Sequence, residues 1–220
     1  RPIASGALPV GIALAAAVLL AVLSLSIAAS VAGALSAVIA GYALIQITYC
    51  LGLKTRPLLD IFCIALGFLL RAVAGLVATG LGASPWFLLT IGLLALFLAV
   101  EKRKAELRIS LARGMVTRQV LLRYSLPLLN RLESIVSSSA FMAYALWSAG
   151  PTLGGAQTSW MLLTTPFVLI GIFRYQLLSD PEGIQFGCIN PPDRNSEKPE
   201  EILLGDRGIQ LTLLGWLTTA

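Results

Sequence analysis

The segment LAVEKRKAEL, residues 98–107, places five charged residues directly after an apolar run. If the segment is helical, Lys102 and Arg103 precede Glu106 by four and three residues, so all three share one helix face. Arginine offers a planar fork of donors and lysine a point charge, and two cations beside a carboxylate suit a phosphate or pyrophosphate. The alternative is an ordinary charged end of a membrane-spanning helix. Lys104 and Arg108 point in other directions and are interpreted as such helix-end charges.

A second candidate is Arg71, which lies in the middle of the apolar run DIFCIALGFLLRAVAGLVATG. A charged side chain at the bilayer centre costs at least about 2.5–3.5 kcal/mol unless it faces a polar interior. Asp60 lies eleven residues earlier, nearly three helical turns, and so points in almost the same direction. We therefore predict a polar cavity with Asp60 at its mouth and Arg71 roughly 16 Å deeper. Satisfaction of Arg71 by neighbouring backbone carbonyls is the alternative.

The segment YCLGLKTRPLLD adds Tyr49 and Lys54 to the same predicted mouth, just before Asp60. Basic side chains at a helix end commonly extend towards the membrane surface, so this segment alone is weak evidence for a site. Together with Arg71 and the charged segment it indicates a site for an anionic ligand.

These candidates belong to a chain with a strongly apolar composition. Of 220 residues, 57% are hydrophobic and 12% charged, and the mean hydropathy is +0.84, values outside the range of soluble domains. The chain contains no histidine, which excludes histidine general bases and Ser-His-Asp arrangements within it. Any chemistry must use carboxylates, lysine, arginine, tyrosine or a bound ion.

The hydropathy pattern predicts an all-α bundle of transmembrane helices that forms a single domain over residues 1–220. A spanning helix needs about twenty apolar residues. On this rule the predicted spans are 7–29, 32–52, 59–81, 85–101, 126–149, 159–178 and 208–220.

The charges lie almost entirely on one side of this predicted bundle. The N-terminus and the loops 53–58, 102–125 and 179–207 carry nearly all of them, whereas the intervening loops carry none. Lysine and arginine in short loops mark the cytoplasmic side. We therefore expect the candidate site, and the polar loop 179–207, to face the cytoplasm.

In this order the segments RPIASG, GFLLRAVAG, EKRKAEL and EKPEEILLGDRGIQLTLLGW resemble the decaprenyl-phosphate phosphoribosyltransferase branch of the UbiA prenyltransferase superfamily. The resemblance covers most of the chain. It implies nine transmembrane helices around a cavity open to the cytoplasm, of which about seven are expected here and the first two are missing. The family's carboxylate motif for Mg²⁺, of the type NDxxDxxxD, would lie upstream of Arg1. We therefore expect no metal ligands in this chain and no activity from the fragment alone.

The resemblance also implies a reaction, with Mg²⁺ as cofactor. A phosphoribosyl group would pass from phosphoribosyl pyrophosphate to a polyprenyl (decaprenyl) phosphate in a bacterial plasma membrane, among membrane lipids and without nucleic acid. Other superfamily members carry a DxxxD motif where this chain has KR-x-A-E-L, which favours the phosphoribosyl donor. The resemblance implies orienting or catalytic roles for Asp60 and Glu106. The substrate-binding candidates are Arg1, Tyr49, Lys54, Arg71, Lys102 and Arg103.

Two other functions fit the same composition. A UbiA prenyltransferase with an aromatic or other lipid acceptor should have a second carboxylate cluster near residues 98–110, where only Glu101 and Glu106 occur. A transporter of an anionic substrate would line its pathway with Arg71, and such proteins often show broken helices and paired repeats. Neither feature is evident in the sequence.

Overall fold

The computed structural model describes residues 6, 9–82, 84–114, 118–179 and 205–219. Within these ranges the chain forms α-helices joined by short 3-10 turns and contains no β-strand, which confirms the all-α prediction. The helices are α1 (Val10–Val31), α2 (Gly33–Leu51), α3 (Leu59–Thr79), α4 (Pro85–Arg113), α5 (Leu126–Ser148), α6 (Thr165–Ser179) and α7 (Arg207–Thr219).

Five helical segments are long and apolar enough to cross a bilayer. They are Val10–Val31, Gly33–Leu51, Leu59–Thr79, Pro85–Ala112 and Ser159–Ser179. Many leucine, isoleucine and valine side chains on these segments are exposed on the outside of the protein rather than buried in its core. A contiguous apolar surface of this kind is stable in lipid and a liability in water. The chain is therefore an integral membrane protein, as its composition predicts.

Helices α5 and α7 form where spans are predicted but do not meet the same test. Helix α7 has 13 residues, too few to cross the hydrocarbon alone. Helix α5 carries Arg131, Glu133 and several serines, which lower its hydropathy. The hydroxyl of Ser134 donates to the Asn130 carbonyl at 2.9 Å, and that of Ser138 donates to the Ser134 carbonyl at 2.8 Å. These two serine hydroxyls are therefore satisfied within the helix.

Helices adjacent in sequence pack against each other from α1 to α5, and α6 packs against α7. The most extensive contact is between α4 and α5. Near the charged end of the bundle, a core of buried side chains from α3, α4, α5 and the turn between α4 and α5 surrounds Val100 and Leu121. This core holds the elements of the candidate site in fixed positions.

Helix α4 extends further than the sequence predicts. The predicted span ends at residue 101 and is followed by a loop, but the helix continues through the charged segment to Arg113 and ends at Gly114, whose φ of +63° is the left-handed conformation that favours glycine. Its 29 residues give a length of about 43 Å, against roughly 30 Å of hydrocarbon. The charges of LAVEKRKAEL therefore lie on one rigid helix that is continuous with the membrane span.

Candidate anion-binding site

The candidate site is built around an ion pair between α3 and α4. Asp60 lies in the first turn of α3 and Arg103 in the second half of α4, and each is 1% exposed. Arg103 Nε lies 3.0 Å from Asp60 Oδ2. The two atoms are not aligned as a hydrogen bond and have no hydrogen-bond partner among the described residues, so they are satisfied by this charge pairing. Buried charges of this kind are tolerated only when paired.

Tyr124 fixes the orientation of Asp60. Its hydroxyl donates to Asp60 Oδ1 at 2.7 Å and accepts a hydrogen bond from the Leu58 N–H at 2.6 Å. Burial, together with the hydrogen bond to Asp60, raises the pKa of Tyr124 above its usual range, so the phenol remains a donor at neutral pH. Leu58 has a φ of +67° and a ψ of −46°, a conformation that costs leucine of the order of 1–3 kcal/mol. The hydrogen bond to Tyr124 helps to hold it.

Glu106 extends the network to the membrane surface. Its Oε2 forms an ion pair with Arg103 Nη1, one helical turn earlier, and lies 3.6 Å from Arg118 Nε. Arg118 Nη1 donates to the Tyr49 hydroxyl at 3.4 Å. Burial tends to lower the pKa of Arg118, but the Glu106 charge and the Tyr49 hydroxyl outweigh it and raise the pKa. With 37% of its side chain exposed, Arg118 is the part of this network that a ligand can reach.

A second buried cluster joins α4 to α5. Lys104 Nζ lies 2.8 Å from Glu101 Oε1 and also forms an ion pair with Glu133 on α5. All three residues are buried. The interpretation of Lys104 as a helix-end charge is therefore wrong, because its side chain points into the helix interface. Arg108 in turn donates through Nη1 to the Ser179 carbonyl at the end of α6.

The structure brings together four of the residues predicted from sequence. Asp60, Arg103 and Glu106 are in direct contact, and Tyr49 joins them through Arg118. Two carboxylates and two guanidinium groups balance each other's charge in this network, which leaves its members rigid. The site residues predicted from the charged segment thus form one connected group, apart from Lys102.

Lys102 and Lys54 lie outside this network. Glu106 pairs with Arg103 and Arg118, and the part of the chain that the structure describes shows no ion pair between Lys102 and Glu106. Lys102 is partly buried, and Lys54 is exposed on the 3-10 turn Leu53–Thr55. Both lie at the same end of the bundle as the network, so both are candidates to contact a ligand there.

Arg71 is satisfied in a different way from either expectation. Its Nη2 donates to the Tyr42 hydroxyl at 2.8 Å, and its guanidinium lies 5.4 Å from the centre of the Tyr42 ring and 5.3 Å from that of Phe68. These cation–π contacts and the hydroxyl, rather than backbone carbonyls, stabilise the charge. Arg71 is exposed and contacts α2, so it does not join Asp60 in a common cluster. Arg1 lies outside the described residues.

Sequence reasoning missed Tyr124 and Arg118. Both lie in or beside the connection between α4 and α5, and Tyr124 is 64 residues from its partner Asp60. A contact between residues this far apart leaves no pattern in the local sequence. For Lys104 a signal existed, since the opposite charges Glu101 and Glu133 lie within or beside predicted spans, where a charge normally has a partner.

The described residues do not fit a magnesium site. No group of three or more histidine, cysteine, aspartate and glutamate side chains is placed to hold a metal within the described ranges. Asp60 and Glu106 are both engaged by guanidinium groups. A divalent ion would have to displace an arginine to reach either carboxylate.

The fold and site define an α-helical integral membrane protein with a cation–carboxylate network at one end of its bundle, a chemistry suited to phosphate groups. No family model matches the chain. Known proteins do match over its full length. It is 36% identical over 226 residues to decaprenyl-phosphate phosphoribosyltransferase of Mycolicibacterium smegmatis, covering 100% of this chain and 67% of that protein.

Two further relatives give the same result. Decaprenyl-phosphate phosphoribosyltransferase of Corynebacterium glutamicum is 35% identical over 99% of this chain and 63% of its own length, and that of Mycobacterium tuberculosis is 33% identical over 100% and 68%. The chain spans about two thirds of the length of these relatives. It belongs to the decaprenyl-phosphate phosphoribosyltransferase family, the branch of the UbiA prenyltransferase superfamily that its motifs resemble.

Proposed function

We propose that this protein transfers a 5-phosphoribosyl group from phosphoribosyl pyrophosphate to a polyprenyl phosphate, decaprenyl phosphate in the named relatives. The observation that carries the proposal is the buried Arg103 held between Asp60 and Glu106, with Arg118 beside it at the surface. Arg103 and Glu106 hold the Arg118 guanidinium, 37% exposed, where a multiply charged anion can approach it. This arrangement supports a reaction whose donor and leaving group both carry pyrophosphate.

The proposed reaction needs no nucleophile from the protein. An oxygen of the lipid phosphate forms a bond to the anomeric carbon of the ribose while the bond from that carbon to pyrophosphate breaks, and pyrophosphate leaves with the electron pair. The protein's contribution is to position two charged partners and stabilise the charge of the leaving group. A chain without histidine can supply both.

Arg118 and Lys102 are the cations proposed to contact pyrophosphate, with Lys54 at the edge. Asp60 is enclosed and both its oxygens are engaged, so we assign it a positioning role towards Arg103 rather than contact with substrate. Glu106 is 12% exposed and orients the Arg103 and Arg118 guanidinium groups from the substrate side. Tyr124 positions Asp60 in turn. Mg²⁺ remains the cofactor that the family resemblance implies, and within the described ranges no group of three or more carboxylates is placed to hold it, so none of these residue roles is assigned through the metal.

The lipid tail has a candidate location in an apolar cavity of about 370 Å³ between α4, α5, α6 and α7. Phe97, Phe167, Tyr175 and Trp216 are among its lining residues. The polar atoms at its wall are satisfied internally, since Trp216 Nε1 donates to the Tyr144 hydroxyl at 2.6 Å. An apolar wall of this kind suits a polyprenyl chain better than a polar metabolite.

We further propose that the charged end of the bundle faces the cytoplasm of a bacterial plasma membrane. The lysines and arginines near helix ends lie on this side, as the positive-inside rule requires. This orientation gives the site access to a water-soluble donor from the cytoplasm and to a lipid acceptor from the membrane.

The test is incubation of the purified full-length protein, including any residues that precede Arg1, in nanodiscs with labelled phosphoribosyl pyrophosphate and polyprenyl phosphate. We expect label in a lipid product. Label transferred from a prenyl diphosphate instead would establish the rival prenyltransferase, and no transfer from either donor would refute both. For variants of the site residues, Arg131→Gln is the control that removes one positive charge at the same end of the bundle. Arg131 is exposed near the start of α5 and has no ion pair among the described residues.

A further inference from the structure

We propose that a second anion site, at the rim of the charged end, binds the phosphate of a membrane lipid. The site is a groove lined by Thr55, Arg56, Gln119, Leu122 and Arg123, named here the rim groove. None of these residues belongs to the buried network around Asp60 and Arg103.

The rim groove is formed where two connections meet. The 3-10 turn Leu53–Thr55 joins α2 to α3, and the 3-10 turn Gln119–Arg123 lies between α4 and α5. These two turns pack against each other. Since both lie at the ends of membrane-spanning helices, the groove lies at the boundary between hydrocarbon and water. This is the depth at which lipid headgroup phosphates are found.

The groove carries uncompensated positive charge. Arg56 and Arg123 are both exposed, and neither has an ion pair with any residue that the structure describes. The nearest carboxylate in sequence, Asp60, is buried and engaged by Arg103 and Tyr124. Two guanidinium groups that face one cavity repel each other until an anion lies between them, and arginine binds phosphate through two parallel hydrogen bonds. The side-chain amide of Gln119 can supply further donors, whereas the Thr55 hydroxyl already donates to the Gly52 carbonyl at 2.8 Å.

In the turn Gln119–Arg123 and the adjacent Tyr124, neighbouring side chains point towards different sites. Tyr124 is buried and points towards Asp60, whereas the preceding Arg123 is exposed and lines the groove. Val120 and Leu121 are buried, whereas Leu122 is exposed. The inner face of this connection thus supports the buried network, and its outer face forms the rim groove.

Exposed leucines around the groove indicate a lipid rather than a soluble phosphate. Leu122 is 71% exposed and Leu51, at the end of α2, is 81% exposed, and Leu58 and Leu59 are also exposed. A soluble anion gains nothing from such neighbours, whereas the first methylenes of a lipid chain lie directly beside its headgroup. A basic pocket flanked by apolar residues at this depth is typical of a lipid headgroup site.

Two lipids share this chemistry: an anionic phospholipid of the surrounding bilayer, and a polyprenyl phosphate. The second source rests on the proposed function, because the groove would then hold the acceptor or deliver it to the transfer site. The binding experiment needs no turnover. Failure of phosphoribosyl transfer would therefore leave its result intact.

The experiment measures lipid retained by the protein in native mass spectrometry after release from phosphatidylcholine nanodiscs that contain either phosphatidylglycerol or polyprenyl phosphate. Arg56→Gln and Arg123→Gln are compared singly with Arg131→Gln, which removes the same charge at the same end of the bundle but outside the groove. Each groove variant should weaken retention about 5-fold, corresponding to roughly 1 kcal/mol for each basic residue near the membrane surface. The double variant should approach 25-fold.

Each outcome decides the proposal. Loss of phosphatidylglycerol alone assigns the groove to bilayer lipid, loss of polyprenyl phosphate alone assigns it to the acceptor, and loss of both assigns it to lipid phosphate in general. Unchanged retention of both lipids in the double variant overturns the proposal, as does an equal loss in Arg131→Gln. Arg56→Lys with Arg123→Lys, which keeps the charge but removes the planar fork, should restore only part of the retention.

Discussion

Arg103 on α4 and Asp60 on α3 form an ion pair in which Nε and Oδ2 lie 3.0 Å apart while both residues are 1% exposed. A buried pair contributes little net stability compared with apolar residues of the same volume, but removal of one partner leaves the other charge buried and unpaired. The pair therefore acts mainly to fix the position of the Arg103 guanidinium. A large effect on the free energy of unfolding is therefore expected only when one partner of the pair is removed.

Asp60→Asn should destabilise the folded protein by about 3–5 kcal/mol, because Arg103 then remains charged in a buried position with Glu106 as its remaining carboxylate partner. The measurement is the free energy of unfolding in detergent. Arg131→Gln, an exposed control, should change it by less than about 0.5 kcal/mol. Equal stability of the Asp60→Asn variant and the native protein would show that water or Glu106 compensates Arg103.

Tyr124→Phe should cost about 1–3 kcal/mol of stability, because Asp60 Oδ1 and the Leu58 N–H both lose a partner in a buried setting. Turnover should fall more than the apparent donor affinity, because Tyr124 acts through Asp60 and Arg103 and does not touch substrate. A change confined to the donor KM would contradict this positioning role.

The same substitution should change the response to alkaline pH. The pKa of Tyr124 is raised in the folded state, so its contribution is fully present below the unfolded value of about 10 and is lost as pH rises towards the folded value. The native protein should therefore lose more stability between about pH 9 and 11 than Tyr124→Phe does. Parallel curves for the two proteins would exclude a raised pKa.

Lys102→Ala should leave folding intact and lower kcat/KM for the donor by about 10- to 100-fold, the worth of one hydrogen bond between charged groups. Lys102 forms no ion pair within the described network, so its removal leaves no buried carboxylate unpaired. Steady-state kinetics with phosphoribosyl pyrophosphate provide the measurement. Unchanged kinetics in a folded Lys102→Ala protein would remove Lys102 from the site.

Lys104→Met should be among the most destabilising single changes, because Glu101 and Glu133 would remain buried side by side without a cation. Adding Glu101→Gln and Glu133→Gln should recover much of the loss, since the three positions form one coupled group. Unfolding of the single and triple variants tests this. Simple addition of the three individual effects would show that the residues act independently.

The sequence predicts the helices well because hydropathy is a local property. Each predicted span of the chain contains or overlaps a helix, and the charge asymmetry separates the two ends of the bundle. The predicted end of α4 was wrong, because six of the twelve residues that follow position 101 are charged and the segment reads as a loop. Their amphipathic packing against α5 and the turn before it, rather than hydropathy, keeps them helical.

Only the part of the site that depends on local spacing could be predicted from the sequence. Arg103 and Glu106 are three residues apart, so helix geometry alone brings them together. Tyr124 contacts Asp60 and Arg118 contacts Glu106 from a different structural element. Helical periodicity cannot predict such contacts. Arg71 lies on α3, eleven residues after Asp60, as predicted, but its side-chain direction depends on where α2 places Tyr42, which only the packing of the two helices determines.

The continuity of α4 links the chemistry of its charged end to the dimensions of the bilayer. About 15 residues, or roughly 22 Å of helix, separate Trp86 at the uncharged end from Glu101. A tilt of α4 in response to a thinner or thicker membrane would thus move Arg103 and Glu106 as one body relative to the start of α3, because α4 runs without a break from Pro85 to Arg113. Acyl-chain length in reconstituted bilayers is therefore expected to tune this enzyme's turnover, which makes membrane thickness a physical input to the active end of the molecule.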